Sequence, residues 1–335
     1  MSTVRMTKKM RAVVIEDFGG PDQLAVREID RPDPGPGDVL IKVKAFGLNH
    51  AEAYFRKGVW GDVPRVTGIE CVGEVEEDPS GTLPKGTRVA TITGGLGRFR
   101  NGSYAEFVSA LAGNVYPLET NLPWADLAAI PESYATAWSC LFDCLRLERG
   151  DTILVRGATS ALGQAALNVA VHAGATVVST TRNAGRTESL LSLGASHVLI
   201  ERPDLSAAAL ELFPEGVDHV LELVGNSTFR DSMKAVKRGG RVCLAGFLGG
   251  GDPVPFDILT GMKPGVDVCF FASLFLGVSP EFPASRIPMQ MLVENVEKGF
   301  YQAKPVKVFR FDELPEAHRL MESNTANGKI VVVMD

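Results

Sequence analysis

The sequence predicts an α/β fold in which a doubly wound parallel-sheet domain interrupts a compact, β-rich domain. Three observations lead to this prediction. Short β-like runs between glycine and proline turns fill residues 10–123, apolar strands alternate with helices up to about residue 276, and the remaining residues mix two helices with two short strands. We therefore expect one domain from residues 1–123 with 277–335, and a second from residues 124–276.

The first domain is expected to be compact and mostly β. Its predicted strands are residues 11–16, 39–45, 68–74, 87–91 and 103–108. A glycine and proline turn follows the first strand, and a proline-rich loop at residues 31–38 precedes the second. Short strands with frequent turn signals are typical of a small β domain.

The second domain begins with a helical pattern at residues 124–147 and then alternates strands with helices. Predicted strands are residues 153–155, 176–179, 197–200, 217–224, 241–245 and 268–271, and predicted helices are residues 161–173 and 186–193. The strands are nearly uniformly apolar, as burial on both faces requires. This alternation indicates a parallel sheet with helices on both sides.

The tail is predicted to contain a helix at residues 287–298, a strand at 305–311, a helix at 313–323 and a strand at 328–334. It could form a third small domain. More economically, it returns to complete the first domain, which makes the second domain an insertion.

Composition bounds the function classes. Of the 335 residues, 45% are hydrophobic and 22% are charged, so the chain can bury a large core, and its net charge of −6 argues against nucleic acid or an anionic membrane as the main partner. The longest apolar run, residues 269–278, is too short to span a bilayer. The first residues lack the apolar segment of a signal peptide. Five scattered cysteines do not suggest a disulfide framework, so we expect a cytoplasmic protein.

Residues 152–182 form one predicted βαβ unit, which offers a helix N-terminus to a pyrophosphate. The dinucleotide pattern G-x-G-x-x-G falls on Ala158, Ser160 and Gly163, so only its third position keeps glycine. The first two residues are small enough to admit phosphate oxygens, and Ser160 carries a hydroxyl donor. The alternative is an ordinary strand, loop and helix that bind no nucleotide.

Several ordered motifs carry a resemblance to a known family. They are AFGLNHAEAYFRKG at residues 45–58, PxxxGxExxG at 64–73, GSYAEFV at 102–108, ATAW at 135–138, GATSALG at 157–163 and GKIVVV at 328–333. With them, nearly the whole chain resembles the medium-chain dehydrogenase/reductase superfamily, and specifically its zinc-free quinone oxidoreductase branch. The resemblance implies a GroES-like first domain and a Rossmann second domain that binds a nicotinamide cofactor.

The resemblance also bears on metal binding. Zinc-dependent relatives have a cysteine and a histidine where this chain has Asn49 and Ile69, and Pro131-Glu132 supply no thiol for a third ligand. Residues 93–103 lack the cysteines of the structural-zinc lobe. Cys140 and Cys144 share a helix face, but without a nearby histidine or second cysteine pair we interpret them as buried thiols. We therefore expect no metal.

The end of the second strand of the βαβ unit predicts the cofactor. Sites for NAD usually carry an acid there, whereas this chain has hydroxyl residues, including Thr181, followed by Arg182 and Asn183. A guanidinium suits the 2′-phosphate of NADPH. The alternative is a solvated surface arginine.

Other cofactor contacts are implied by the resemblance alone. The backbone N–H groups of Ser160, Ala161 and Leu162 should face the pyrophosphate. Positions that line the adenosine or nicotinamide side in relatives correspond to Thr136, Val224, Phe247, Phe271, Ser273 and Asn327. For the apolar residues, simple core packing is the alternative.

Without zinc, the acceptor must already be activated by conjugation, as in a quinone or an α,β-unsaturated carbonyl. Asn49 and Tyr54 are the expected hydrogen-bond donors to its oxygen, and Tyr54 is also a candidate proton source, unless it only lines the pocket. We expect NADPH-dependent reduction of a quinone. A 2-alkenal or enone reductase and an NADPH-binding protein with little turnover stay open, and a zinc alcohol dehydrogenase is the weakest alternative.

Relatives commonly dimerise through the last strand of the nucleotide domain. The apolar residues 266–276 fit such an edge, because an unpaired apolar edge strand is a liability in isolation. We expect a homodimer.

Overall fold

The computed structural model describes residues 8–250 and 252–334, so the first residues of the predicted β domain, residue 251 and residue 335 lie outside the described residues. The chain divides into two compact units. The first contains Met1–Glu132, Leu274–Glu297 and Ala303–Asp335, and the second contains Ser133–Ser273 and Lys298–Gln302.

The first unit begins with short strands, as its turn-rich sequence predicts. They are β1 (Lys9–Ile15), β2 (Leu24–Asp30), β3 (Asp38–Gly47), β4 (Glu70–Glu77), β5 (Arg88–Ile92), β6 (Phe107–Leu111) and β7 (Val115–Pro117), with the helices α1 (His50–Arg56) and α2 (Trp124–Leu127). Strands β1 and β2 form an antiparallel pair, while β3, β4, β5 and β7 are consecutive neighbours in a larger sheet.

The second unit alternates helices and strands. Its elements are α3 (Pro131–Trp138), which begins at the boundary and continues into a π-helical turn (Ser139–Cys144), then β8 (Thr152–Arg156), α4 (Ala161–Ala173), β9 (Thr176–Thr181), α5 (Thr187–Ser192), β10 (His197–Ile200), α6 (Leu205–Leu212), β11 (Val217–Glu222), α7 (Phe229–Ala235), β12 (Val236–Leu244), α8 (Ile258–Gly261) and β13 (Asp267–Phe270).

The six strands of the second unit form one parallel sheet in the order β10-β9-β8-β11-β12-β13. The chain moves outward from β8 on one side and from β11 on the other, so the switch point lies between these two strands. Ligands of doubly wound folds bind at the carboxyl ends of strands beside such a point. Ile153, Leu154 and Val155 of β8 have 0% exposure, as expected for a strand covered on both faces.

The tail contains α9 (Met289–Glu297), β14 (Lys307–Arg310), α10 (Leu314–Glu322) and β15 (Ile330–Val333). Strand β15 pairs antiparallel with β3 and parallel with β14, which gives the sheet order β14-β15-β3-β4-β5-β7, and β6 pairs with β3. Of the two arrangements that the sequence leaves open, the tail therefore takes the second and completes the first unit. The predicted fold class, a GroES-like domain with an inserted Rossmann domain, is confirmed.

Three short segments lie in the opposite unit from the one that the predicted bounds give, and the shortest of them, residues 274–276, belongs to the first unit. The segment of residues 124–132 belongs to the first unit because α2 packs on β3, β4 and β15, with Leu127 at 0% exposure. The segment Lys298–Gln302 belongs to the second unit. There the ring of Tyr301 stacks on that of Tyr134, with centroids 5.4 Å apart, and meets His172 edge-on.

Each unit has its own hydrophobic core. In the first, Phe46 stacks on Tyr104 with ring centroids 4.8 Å apart, between aliphatic side chains of β1, β3, β4 and β15. In the second, Leu154, Val220 and Val242 of adjacent strands pack against residues of α6 and α7. Burial of each such apolar side chain contributes about 1.5–3 kcal/mol to the free energy of folding, relative to leaving it exposed. Among the described residues, the helices fall short of the length and apolarity that a bilayer crossing requires.

Candidate cofactor and substrate sites

The turn between β8 and α4 is built around two glycines. Gly157 has φ +89° and donates its N–H to the hydroxyl of Thr180 on the neighbouring strand β9, at 3.0 Å. A Cβ on Gly163 would lie 2.5 Å from the carbonyl oxygen of Gly157 and 2.6 Å from the Cα of Ala158. Only glycine fits there, because the helix backbone crosses directly over the turn. This is the close helix–strand packing that the third glycine of a dinucleotide motif provides.

The N-terminus of α4 has a backbone site for an anion. Ser160 is the N-cap, and its hydroxyl donates to the carbonyl of Gly157 at 2.9 Å and accepts from the N–H of Gly163 at 3.0 Å. The N–H of Ser160 also donates to Gly157. The predicted hydroxyl donor therefore caps the helix. Within the described part of the chain, the N–H groups of Ala161 and Leu162 donate to no protein acceptor, so they remain available to a phosphate.

The end of β9 contains the residues predicted to select the cofactor. Thr181 is 4% exposed, and its hydroxyl accepts the N–H of Asn183 at 3.1 Å. Arg182 is exposed, and its guanidinium has no protein acceptor among the described residues. Glu201 follows β10 and donates its backbone N–H to the carbonyl of Thr181. Its carboxylate forms an ion pair with the buried Arg156.

The remaining predicted cofactor residues lie in several environments. Val224 and Phe247 are half-buried in the loops after β11 and β12, and Ser273 is half-buried at the end of the second unit. Thr136 is 3% exposed and Phe271 is 0% exposed, which is the burial expected of core packing. Asn327 belongs to the first unit and has φ +57° in the turn before β15.

In the first unit, Asn49 is the N-cap of α1 and lies in a polar network. Its backbone N–H donates to Glu52 Oε2 at 2.7 Å in a capping box. Its side-chain Nδ2 donates to Glu70 Oε1 at 2.9 Å, and its Oδ1 accepts from Lys329 Nζ at 2.7 Å. Asn49 thus joins α1, β4 and the residue before β15.

A buried ion pair lies at the centre of this network. The Nζ of Lys329, 5% exposed, lies 2.5 Å from Oε1 of Glu70, which is 0% exposed. The second oxygen of Glu70 accepts the backbone N–H of Glu132 at 2.8 Å. Burial alone would lower the pKa of Lys329, but the carboxylates of Glu70 and Glu132 outweigh it and raise the pKa, so the ammonium stays charged.

Glu52 links the ion pair to a second buried group. Its carboxylate accepts the hydroxyl of Tyr104 at 2.6 Å and the N–H of Ile69 at 3.0 Å, and the Tyr104 oxygen lies 3.0 Å from Nε2 of His318. Burial raises the pKa of Glu52 to about 7 despite these donors. Burial and the nearby Arg56 lower the pKa of His318 to about 3, so its ring is neutral at physiological pH.

Tyr54 lies in α1 outside this network. It is half-buried beside Trp60, with ring centroids 5.3 Å apart, and burial raises the pKa of its hydroxyl. That hydroxyl has no protein partner within the residues that the structure describes. It therefore keeps its proton at neutral pH and can donate it in a hydrogen bond to a ligand.

Asn49 was predicted from the sequence as a site residue, but the charged residues around it were not. A signal for them was present, because Glu52, Glu70, Tyr104 and Lys329 each lie within one of the motifs that carry the family resemblance. The sequence did not indicate that residues of different motifs contact one another, since Lys329 and Glu70 are 259 residues apart.

The residues around Asn49 do not fit a catalytic zinc. Such a site needs three cysteine, histidine or carboxylate ligands. Here the two expected ligand positions hold an amide and the buried side chain of Ile69, and the Lys329 ammonium already neutralises Glu70. Over the described ranges, the only cluster of three potential ligand side chains is formed by cysteines of the second unit.

Comparisons with known proteins agree with this architecture. Residues 35–120 match the family model for the alcohol dehydrogenase GroES-like domain, and residues 161–284 match the model described as zinc-binding dehydrogenase. The quinone oxidoreductase of Rattus norvegicus is 28% identical over 344 residues, which cover 98% of each chain.

Two solved structures extend the comparison. The crystal structure of an NAD-dependent alcohol dehydrogenase is 29% identical with a TM-score of 0.84, and the match covers 97% of this chain and 100% of that one. A mycobacterial protein complexed with NADPH is 26% identical with a TM-score of 0.85, covering 97% of this chain and 99% of that one. The two matched family models and the shared architecture show that the chain is an oxidoreductase that belongs to the medium-chain dehydrogenase/reductase superfamily.

Proposed function

We propose that this oxidoreductase uses NADPH and reduces a quinone without zinc. The observation that carries the proposal is the ion pair of Lys329 with Glu70, joined by Asn49, where zinc-dependent relatives hold their metal. With no Lewis acid to polarise a simple carbonyl, the acceptor must delocalise the developing negative charge itself. A quinone does this, and the rat relative is named a quinone oxidoreductase.

The preference for NADPH rests on residues of the second unit. The likeness to solved structures does not decide it, since one neighbour is described as NAD-dependent and the other is complexed with NADPH. Arg182 is exposed after β9, and the neighbouring acid, Glu201, is held by Arg156. A free guanidinium beside a neutralised carboxylate favours a 2′-phosphate over a 2′-hydroxyl.

The proposed reaction is a two-electron reduction. When bound, NADPH would supply a hydride to the quinone, and one proton from the protein or solvent would complete the hydroquinone, leaving NADP⁺. Ala161 and Leu162 would hold the pyrophosphate through their backbone N–H groups, and Tyr54 would donate a hydrogen bond to the quinone oxygen. Removing one such donor typically costs about 10²–10³-fold in turnover.

The test is anaerobic NADPH oxidation by chelator-treated protein with an ortho-quinone, a para-quinone and a 2-alkenal in parallel. We expect the protein to reduce a quinone, and we expect that adding zinc does not increase the rate of this reaction. If the 2-alkenal is reduced faster than the quinones, the proposed function becomes enone reduction. Tight NADPH binding without turnover would favour a binding role.

Two variants test the donor. Tyr54→Phe should lower kcat, whereas the matched control Tyr116→Phe should not, because the Tyr116 hydroxyl donates to the carbonyl of Ala284 at 2.8 Å. Equal turnover in both variants would remove Tyr54 from the mechanism.

We also propose that the protein forms a homodimer through β13, the last strand of its sheet. Val268 and Phe270 on this strand are 48% and 49% exposed, and apolar edge strands favour pairing. Sedimentation should give a dimer that Val268→Lys dissociates, and a monomeric parent protein would contradict the proposal.

A further inference from the structure

Three cysteine thiols from separate elements of the second unit converge. Cys144 ends the π-helical turn after α3, while Cys243 and Cys269 lie on the neighbouring strands β12 and β13. The two strand residues are register partners across the parallel pair, so their side chains lie on the same side of the sheet. The three sulfur atoms all lie within 4.8 Å of one another.

We propose that Cys144, Cys243 and Cys269 form a binding site for a thiophilic metal ion, with Zn²⁺ as the ion to test. This site is separate from the network around Asn49, and its residues all belong to the second unit. The site departs from our sequence-based expectation of no metal. In the sequence Cys144 has only Cys140 close to it, whereas in the folded chain strands β12 and β13 bring Cys243 and Cys269 beside it.

The geometry is close to that of a metal–thiolate centre. With zinc–sulfur bonds of about 2.3 Å, tetrahedral ligands lie roughly 3.8 Å apart, so the three sulfurs need to approach by no more than about 1 Å. Side-chain rotation supplies movement of that size. The thiol of Cys140, one helical turn before Cys144, also interacts with that of Cys243.

The donor set selects the class of ion. Three thiols with no oxygen ligand among them suit soft or borderline ions such as Zn²⁺ and Cu⁺, and they do not suit Mg²⁺ or Ca²⁺. Cys243 is 0% exposed and Cys144 is 8% exposed, whereas Cys269 is half-exposed and gives the ion a route from solvent. A site with buried ligands and one accessible ligand can be loaded in the folded protein.

The test is a Zn²⁺ titration of the reduced, chelator-treated full chain against a chromophoric chelator under anaerobic conditions. We expect one equivalent to bind. Loss of an outer-shell partner of a metal ligand typically costs 10–100-fold in affinity, so removal of a direct ligand in Cys269→Ala should weaken binding by about 100-fold or more. Cys269 is chosen because its half-exposed side chain can be truncated without opening the core.

The matched control is Cys71→Ala, which removes a buried cysteine of the first unit and should leave stoichiometry and affinity unchanged. As a second readout, Co²⁺ should give sulfur-to-metal charge-transfer absorption in the parent protein and in Cys71→Ala, but not in Cys269→Ala. Less than one equivalent of Zn²⁺ in the reduced parent protein, or unchanged affinity in Cys269→Ala, would overturn the proposal.

Discussion

Replacing Lys329 by methionine should destabilise the first unit by about 3 kcal/mol. Methionine keeps most of the length of the lysine side chain but removes the ammonium that lies 2.5 Å from Glu70 Oε1 and 2.7 Å from Asn49 Oδ1. Removing one partner of a buried ion pair typically costs about 3–5 kcal/mol, since the other charge stays buried without compensation. Glu70 keeps two donors, Asn49 Nδ2 and the N–H of Glu132, so we expect the lower end of that range.

Thermal unfolding measures this loss. For a unit of this size, each kcal/mol corresponds to about 2–4 °C, so Lys329→Met should lower the Tm of the first unit by roughly 6–12 °C. Adding Glu70→Gln to Lys329→Met should restore part of the lost Tm, because the second substitution removes the uncompensated charge. Arg319→Ala is the control, since Arg319 pairs with Glu316 and Asp22 in solvent and should leave the Tm nearly unchanged.

Two results would refute the reasoning. If Lys329→Met lowers the Tm no more than Arg319→Ala does, the buried ion pair does not stabilise the unit. If the double variant with Glu70→Gln is less stable than Lys329→Met by the full effect of Glu70→Gln alone, the two residues are independent and their close contact carries no energy.

Much of the fold was predictable because its local signals are strong. Helix α4 begins and ends at the predicted residues, since Ser160 is an N-cap and Gly174, with φ +89°, allows the left-handed end. The parallel sheet followed from apolar runs that only burial on both faces explains.

Errors arose where local signals were weak or served another purpose. Strand β2 was not predicted, because most of its residues are exposed and it lacks an apolar face. Strand β6 was predicted at residues 103–108 but begins at Phe107, because the backbone N–H groups of Ser103 and Tyr104 donate to the carbonyls of Gly68 and Thr67 in a loop. Strand β12 was predicted at residues 241–245 but begins at Val236 and continues through Gly239 and Gly240.

The functional groups were only partly predictable for a similar reason. The turn before α4 is a local motif and could be read from spacing. The ion pair of Lys329 with Glu70 and the cluster containing Cys144, Cys243 and Cys269 join residues far apart in the chain, so no spacing within a motif indicates them. Their chemistry depends on sheet register, which only the folded chain supplies.

Three further predictions test the cofactor site and the buried acid. Arg182→Ala should weaken NADPH binding by roughly 1.5–3 kcal/mol and leave NADH binding nearly unchanged, as measured by fluorescence titration, and an equal loss for both cofactors would contradict a role at the 2′-phosphate. Gly163→Ala should lower the free energy of unfolding, measured by thermal unfolding, by about 1–3 kcal/mol and weaken the binding of both cofactors, because its Cβ would lie 2.5 Å from a backbone oxygen. Gly113→Ala should have neither effect, because an added Cβ there would have nothing within 4 Å. The third prediction concerns Glu52, whose pKa burial raises to about 7, so that the folded protein keeps a proton that the unfolded chain releases near pH 4.5. The stability from this proton is therefore complete below about pH 4.5 and is lost as pH rises through about 7, by up to about 3 kcal/mol. Glu52→Gln cannot ionise, so the Tm of the parent protein should fall more between pH 5 and pH 8 than that of the variant, and equal pH slopes would show that this carboxyl is already ionised at pH 5.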